Sequence, residues 1–210
     1  LGSIFFIFYF GLKPNLEENN EIEKIKIPEK NILIYGLYMF IFMGTVMALV
    51  DWAPLWFERE LLTTSLIASL TIVSWSGGET IGKFLGAKLI ILTNEKIIGA
   101  YIPLLGSLIY VLIIFYGNIY LILFGLFLLG FATANFFPIV IRIALRKTTD
   151  NINTAAANLS TIGFLGLLIG PAIVGYTSEI FSITTNTQAI SIIWILLFLM
   201  FLYTIRNSKL

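Results

Sequence analysis

Apolar and polar residues in this chain fall into long blocks and do not alternate. Six apolar segments run roughly over residues 31–57, 65–86, 97–116, 119–141, 155–178 and 188–205. Each offers the ~20 apolar residues needed to cross a ~30 Å hydrocarbon layer. Inside such a layer every backbone N–H and C=O must be bonded within the protein, so the segments are predicted as helices. Closed-barrel strands would need polarity alternating over about ten residues, a pattern these segments lack. The expected fold is all-α: a polytopic six-helix transmembrane bundle.

A further apolar run, Leu1–Leu12, opens the chain with no Met and no basic flank. It reads as the end of a preceding transmembrane helix, and not as a cleavable leader. Residues 13–30, KPNLEENNEIEKIKIPEK, mix both charge signs and carry two prolines. That composition suits a solvated linker between two membrane units. The expected organisation is therefore a helix end (1–12), a linker (13–30), a six-span bundle (31–206) and a short tail (207–210).

Composition fits the same picture. Of the 210 residues, 58% are hydrophobic and 12% charged, with a mean hydropathy of +0.94. Soluble domains carry about 25% charged residues. Cys and His are both absent, so disulfides, thiolate metal sites and the usual general base are excluded. No cofactor or metal is expected, an intramembrane enzyme is disfavoured, and no phosphate-binding loop points to ATP. Twelve of the 13 Lys and Arg residues fall in connections on one side of the predicted layer; Arg59 alone falls on the other. By the positive-inside rule, the 13–30 linker, Arg146 and the C-terminus are cytoplasmic, while Asn118 and the turn near Thr184 face outward. The expected location is the cell inner (plasma) membrane, with several passes. Nucleic acid is not an expected partner.

Two stretches stand out. NLSTIGFLGLLIGPAIVG (158–175) places Gly163, Gly166, Gly170 and Gly175 on one helix, with Gly166-x-x-x-Gly170 a small-residue pair on one face. Helices in lipid associate by close packing, which such pairs permit. Pro171 removes one hydrogen bond and permits a bend. SGGETIGKFLGAKL (76–89) ends the second full segment, and Gly82, Lys83, Gly86 and Lys88 read as a glycine-relieved turn with two cations at the membrane face. Such a cluster suits a gate; snorkelling lysines at a helix end are the alternative.

These motifs carry a resemblance. Gly82-Lys83-Phe84-Leu85-Gly86-Ala87-Lys88 resembles the loop signature between spans 8 and 9 of major facilitator superfamily transporters. Residues 163–175 resemble span 11 of the same family, FLLGFATANFFPIVIR (127–142) span 10, and ALVDWAPLWF (48–57) the end of span 7. The chain thus resembles the C-terminal half of such a transporter, from a bacterial branch near the sugar and fucose-type permeases. Ala87 stands where the signature usually has Asp. The resemblance implies a secondary transporter of a small, sugar-like solute working by alternating access. Its partners would be the lipid bilayer, an N-terminal six-helix half and a coupling proton or other ion. A non-transporting structural or assembly protein is the alternative.

Ionisable groups within spans are costly, so each needs a partner or a watery cavity. The candidate pathway residues are Asp51, Trp75, Glu79 and Asn135. Asp51 can bind a proton or polar solute, or anchor its helix end. Glu79 stands one turn before Lys83 and can pair with it. Trp75 lies one turn from Glu79, facing the same cavity or packing on lipid. Asn135 can bond a solute hydroxyl or a neighbouring helix.

Overall fold

The computed structural model describes residues 28–149 and 151–207, and every regular element among them is a helix. The expected helix end at 1–12, most of the linker and the last residues of the tail lie outside the described residues. In chain order the elements are α1 (Lys30–Arg59), α2 (Ser65–Leu92), a π-turn (Ile97–Tyr101) running into α3 (Ile102–Tyr116), α4 (Ile119–Thr133), α5 (Phe136–Leu145), α6 (Ile152–Ile180) and α7 (Ile183–Asn207). Side chains cap the helix starts as their sequence suggests: Thr64, Asn118, Asn151 and Ser182 accept bonds from the N–H groups of Ile67, Leu121, Asn153 and Thr185.

Five units are long and apolar enough to cross a membrane: α1, the π-turn with α3, α4 with α5, α6 and α7. The chain is an all-α, multi-pass membrane bundle. The sixth expected span departs from the pattern. At 28 residues α2 has the length, but Ser65, Ser69, Thr71, Ser74, Ser76, Gly77, Gly78, Glu79 and Thr80 dilute its hydropathy. The expected single helix at 119–141 is also interrupted, at Ala134–Asn135. Pro138 has no N–H to offer the Ala134 carbonyl, so the ladder breaks there and resumes with Ile139 N–H on the Asn135 carbonyl at 3.2 Å.

Two glycine seams organise the bundle. In the first, Gly36 lies against Ile162, Gly163 against Met39, and Gly44 against the Gly166 backbone. A methyl group added at Gly166 would overlap the Phe40 carbonyl, and one at Gly170 the Gly44 carbonyl. Residue numbers rise together on both sides, so α1 and α6 run parallel. In the second seam, Gly78, Gly82 and Gly86 of α2 meet the Phe127 carbonyl, the Phe131 carbonyl and the Asn135 side chain. Gly130 of α4 meets the Trp75 carbonyl in return. Here too the numbers rise together, and α2 runs parallel to α4. Pro171 and Gly175 belong to the first seam: Trp52 Nε1 donates to the Pro171 carbonyl at 3.1 Å, and its ring lies over Gly175. Helix α6 continues through Pro171 to Ile180.

The aromatic core sits where α1, α5 and α7 meet. Phe136 stacks edge-on against Phe42, Phe198 and Phe201 with centroids 4.7–5.0 Å apart. Polar ties close both ends. At the end where α1 begins, here the basic end, Glu95 binds Arg142 of α5 and Arg146 just past it. Lys147 Nζ donates to the Tyr35 hydroxyl at 2.9 Å, and Glu29 accepts from Thr148 and Thr149. At the opposite end Glu60, just past α1, accepts from the Ile183 and Thr184 N–H groups and the Thr184 hydroxyl at 2.6–2.8 Å. The two ends mirror each other in topology. The end of the first span of one three-span unit is tied to the start of the third span of the other. The seams exchange in the same way, as inverted three-span repeats require.

The seams predict a clear mutational contrast. Gly166→Leu and Gly78→Leu, which force a side chain into a carbonyl, should each destabilise by ~1–3 kcal/mol or more. Leu168→Ala, at a position 70% exposed, should change stability by no more than about 0.5 kcal/mol. Thermal unfolding in detergent measures this; equal effects at 166 and 168 would contradict the seam.

Candidate functional site

The helix carrying the candidate carboxylate extends further than its hydropathy suggests. Because α2 continues to Leu92, Glu79 stands near its middle, and the residues expected to form a turn at 82–86 are unbroken helix. The sequence read as a membrane-face loop is thus a two-sided helix surface. Gly78, Gly82 and Gly86 form the face applied to α4. Lys83 and Lys88 are exposed, as are Ser76 and Thr80.

Lys83 Nζ lies 2.7 Å from Glu79 Oε1, one turn away on the same helix. The Lys83 side chain is 61% exposed and that of Glu79 34% exposed. An ion pair at this depth, facing outward from the bundle, is costly against hydrocarbon and suits water or another polar surface. The pair joins no two elements, because both partners belong to α2. It offers a proton acceptor beside a cation, with hydroxyls at 76 and 80 nearby in the sequence.

Asn135 occupies the break between α4 and α5. Its amide donates to the Gly82 carbonyl at 2.8 Å and fills the notch over Gly86. It therefore ties the interrupted span to α2 along the glycine face, which borders the ion pair. Trp75 is buried, 4% exposed, with its ring 5.9 Å from Trp194. Trp194 Nε1 in turn donates to Thr45 Oγ1 at 2.6 Å. Asp51 stands apart, exposed on α1 toward the end opposite the basic one, and no hydrogen bond or ion pair involves it among the described residues. The structure thus brings Glu79 and Lys83 together, sets Asn135 and Trp75 in contacts between helices, and leaves Asp51 separate. No cluster of three or more carboxylates is arranged to hold a metal among the described residues.

The family model of the Major Facilitator Superfamily matches residues 2–209. The chain belongs to the Major Facilitator Superfamily. It is 22% identical over 171 residues to an uncharacterized MFS-type transporter of Yersinia pestis, covering 79% of this chain and 43% of that protein. It is 28% identical over 153 residues to the membrane protein MosC of Rhizobium meliloti, covering 70% of this chain and 36% of that one. The chain therefore spans less than half the length of either relative.

In this superfamily member the acidic residues that most clearly join separate elements are ones that sequence reading passed over. Glu95, Glu60 and Glu29 belong to no motif of the sequence. Arg142 and Arg146, four residues apart and thus on one helix face, counted only toward orientation. A lone acid beside a basic helix end was the available signal. Burial works to raise the Glu60 pKa, but the hydrogen bonds from Thr184 and Ile183 outweigh it and hold the carboxyl below the ordinary Glu value. Burial likewise opposes ionisation of Glu95, and the two guanidiniums overcome it. Carboxyls with lowered pKa contribute stability that is complete above the unfolded-state value and lost as pH falls through the lower folded-state value.

The thermal midpoint should therefore fall as pH drops below about 4.5. Glu60→Gln should lower the midpoint at pH 7 and reduce its acid dependence. A pH profile unchanged in Glu60→Gln would show that the cross-helix cap contributes nothing.

Proposed function

We propose that this chain is the C-terminal half of a secondary transporter that moves a small polar solute by alternating access. The carrying observation is the Glu79–Lys83 pair near the middle of α2, on a face the bundle leaves uncovered. Such a pair is tolerable beside a water-filled pathway and not beside lipid. The dilution of α2 by serine, threonine and glycine fits the same placement. Membership of the superfamily supports the reading, and so does the chain's coverage of under half of each relative. The uncovered face of α2 would meet the other half of the protein, with the pathway between them.

In this reading Glu79 is the coupling group. It takes a proton from one side and releases it to the other, with Lys83 as its ion-pair partner one turn away. Asn135 and the Gly82 carbonyl hold α5 against α2, and the break at Ala134–Asn135 lets α5 move when that bond opens. The basic end faces the cytoplasm across the inner membrane, and the solute is sugar-like, as the resemblance to sugar and fucose-type permeases suggests.

Full-length protein in proteoliposomes tests this reading. Glu79→Gln keeps the shape and removes the charge. It should abolish uphill accumulation while sparing solute exchange, and Lys83→Gln should act non-additively with it. Normal accumulation by Glu79→Gln would rule out the coupling role. Because the chain lacks Cys, single cysteines report orientation cleanly. An impermeant reagent added to intact cells should label Cys at Asn118 and not at Arg146; the reverse would invert the topology.

A further inference from the structure

Three faces share helix α2. Gly78, Gly82 and Gly86 fall on one side and meet α4. Ser65, Ser69, Ser76, Glu79, Thr80 and Lys83 fall beside them within an arc of about 100°, interrupted only by Ile72. Leu66, Leu70, Val73, Ile81 and Phe84, all exposed, lie on the remaining side. The polar arc has a direction. It begins with Ser65, at the end of the bundle opposite the basic one, and it stops at Lys83. Past Lys83 the arc carries no hydroxyl or charged residue before α2 ends at Leu92. From Ser65 to Glu79 it covers roughly 21 Å of helix.

Hydroxyls report what each surface meets. Thr71, Ser107, Thr133, Thr187 and Ser191 are buried, and each donates to a carbonyl of its own helix. Apolar surroundings offer a hydroxyl no other partner. Ser76 and Thr80 are exposed in the middle of α2, and their hydroxyls make no hydrogen bond among the described residues. Against hydrocarbon, two unbonded hydroxyls beside an ion pair are costly; against water they are not. Helix α6 supplies the contrast. A glycine seam holds it in the same way, yet its uncovered middle carries Phe164, Leu165, Leu168 and Ile169.

We propose that the polar arc of α2 is one wall of a water-filled approach that reaches Glu79 from the end where α2 begins, and from that end only. Its use by a coupling proton rests on the transport reading above. In that reading the arc is the leg that connects Glu79 to one side of the membrane. Passage to the other side then needs a movement of the protein, because the arc does not continue past Lys83. The apolar side of α2 faces lipid, so the helix stands at the border between lipid and the approach. The hydration of the arc itself follows from the unbonded hydroxyls and the ion pair, and it does not require Glu79 to be the coupling group.

Single-cysteine variants of the full-length protein, cleared of cysteine outside this chain, supply the test. A thiol reacts as its thiolate, which water supports and apolar surroundings suppress. Ser69→Cys and Ser76→Cys should therefore react with an impermeant methanethiosulfonate about tenfold faster than Leu168→Cys on α6. They should do so from the side that labels Asn118→Cys. Leu70→Cys, on the lipid side of α2, should react as slowly as Leu168→Cys. The proposal is overturned if Ser69→Cys and Ser76→Cys react no faster than Leu168→Cys, if Leu70→Cys matches them, or if Ser76→Cys is labelled as readily from the opposite side. Normal uphill accumulation by Glu79→Gln would remove the coupling role and leave these rates unchanged, so the two readings fail separately.

Discussion

Backbone-to-backbone approach is the constraint on which this bundle depends. In water, two helices adhere by burying apolar side chains; in lipid that driving force is absent, because the solvent is equally apolar. What remains is dense packing and the polarity of the backbone itself. At Gly166, Gly170, Gly78 and Gly130 the space a side chain would occupy is filled by the carbonyl of the neighbouring helix. Only glycine allows that approach. The poor helix propensity of glycine matters little here, since a helix in hydrocarbon has no hydrated alternative.

That constraint shapes the rest of the fold. Helix α6 packs chiefly on α1 and α2 chiefly on α4, while α1, α4, α5 and α7 supply the interior. The attached helices keep one broad face free of the bundle. On α6 that face is apolar, with Phe164, Leu165, Leu168 and Ile173 exposed. On α2 it alternates apolar residues with serine, threonine and an ion pair. A helix that devotes one face to glycine and another to polar groups cannot also meet the hydropathy of a lipid-facing span. The shortfall of α2 is thus the consequence of two demands on one helix.

Much of the fold was legible in the sequence. Among the described residues, block hydropathy located the helical segments, because a 20-residue apolar run in lipid has essentially one backbone solution. The ends were less legible. Helix α7 begins at Ile183, several residues before its apolar run, because Ser182 and the distant Glu60 cap it; no local pattern announces a cap supplied from 123 residues away. The break at Asn135 was not expected; Pro138, three residues on, is the sequence signal that marks it. The Gly82–Gly86 stretch looked like a turn, since glycines beside lysines end many helices. Its glycines instead serve α4, a fact that depends on a partner helix lying across the seam. Trp75 illustrates the same limit: one turn from Glu79 in sequence, it points inward to Trp194, and only tertiary packing separates them.

The polar ties at the two ends use opposite chemistry for the same topological task. At one end a carboxylate satisfies the exposed N–H groups and the positive dipole of α7, so a single acid suffices and no cation is needed. At the other, the tied span ends in arginines and the acid lies ahead of the next helix, so a charge pair must be built from side chains. The first arrangement is self-contained, because the helix terminus brings its own donors and is fully met by Glu60 and Ser182. The second is not, because Glu95 neutralises only part of what it gathers. Both junctions join the end of a first span to the start of a third, so the helix termini are alike and only the side chains differ. At one end the acid follows the first span and meets bare N–H groups; at the other it precedes the third span and meets the arginines that end the first.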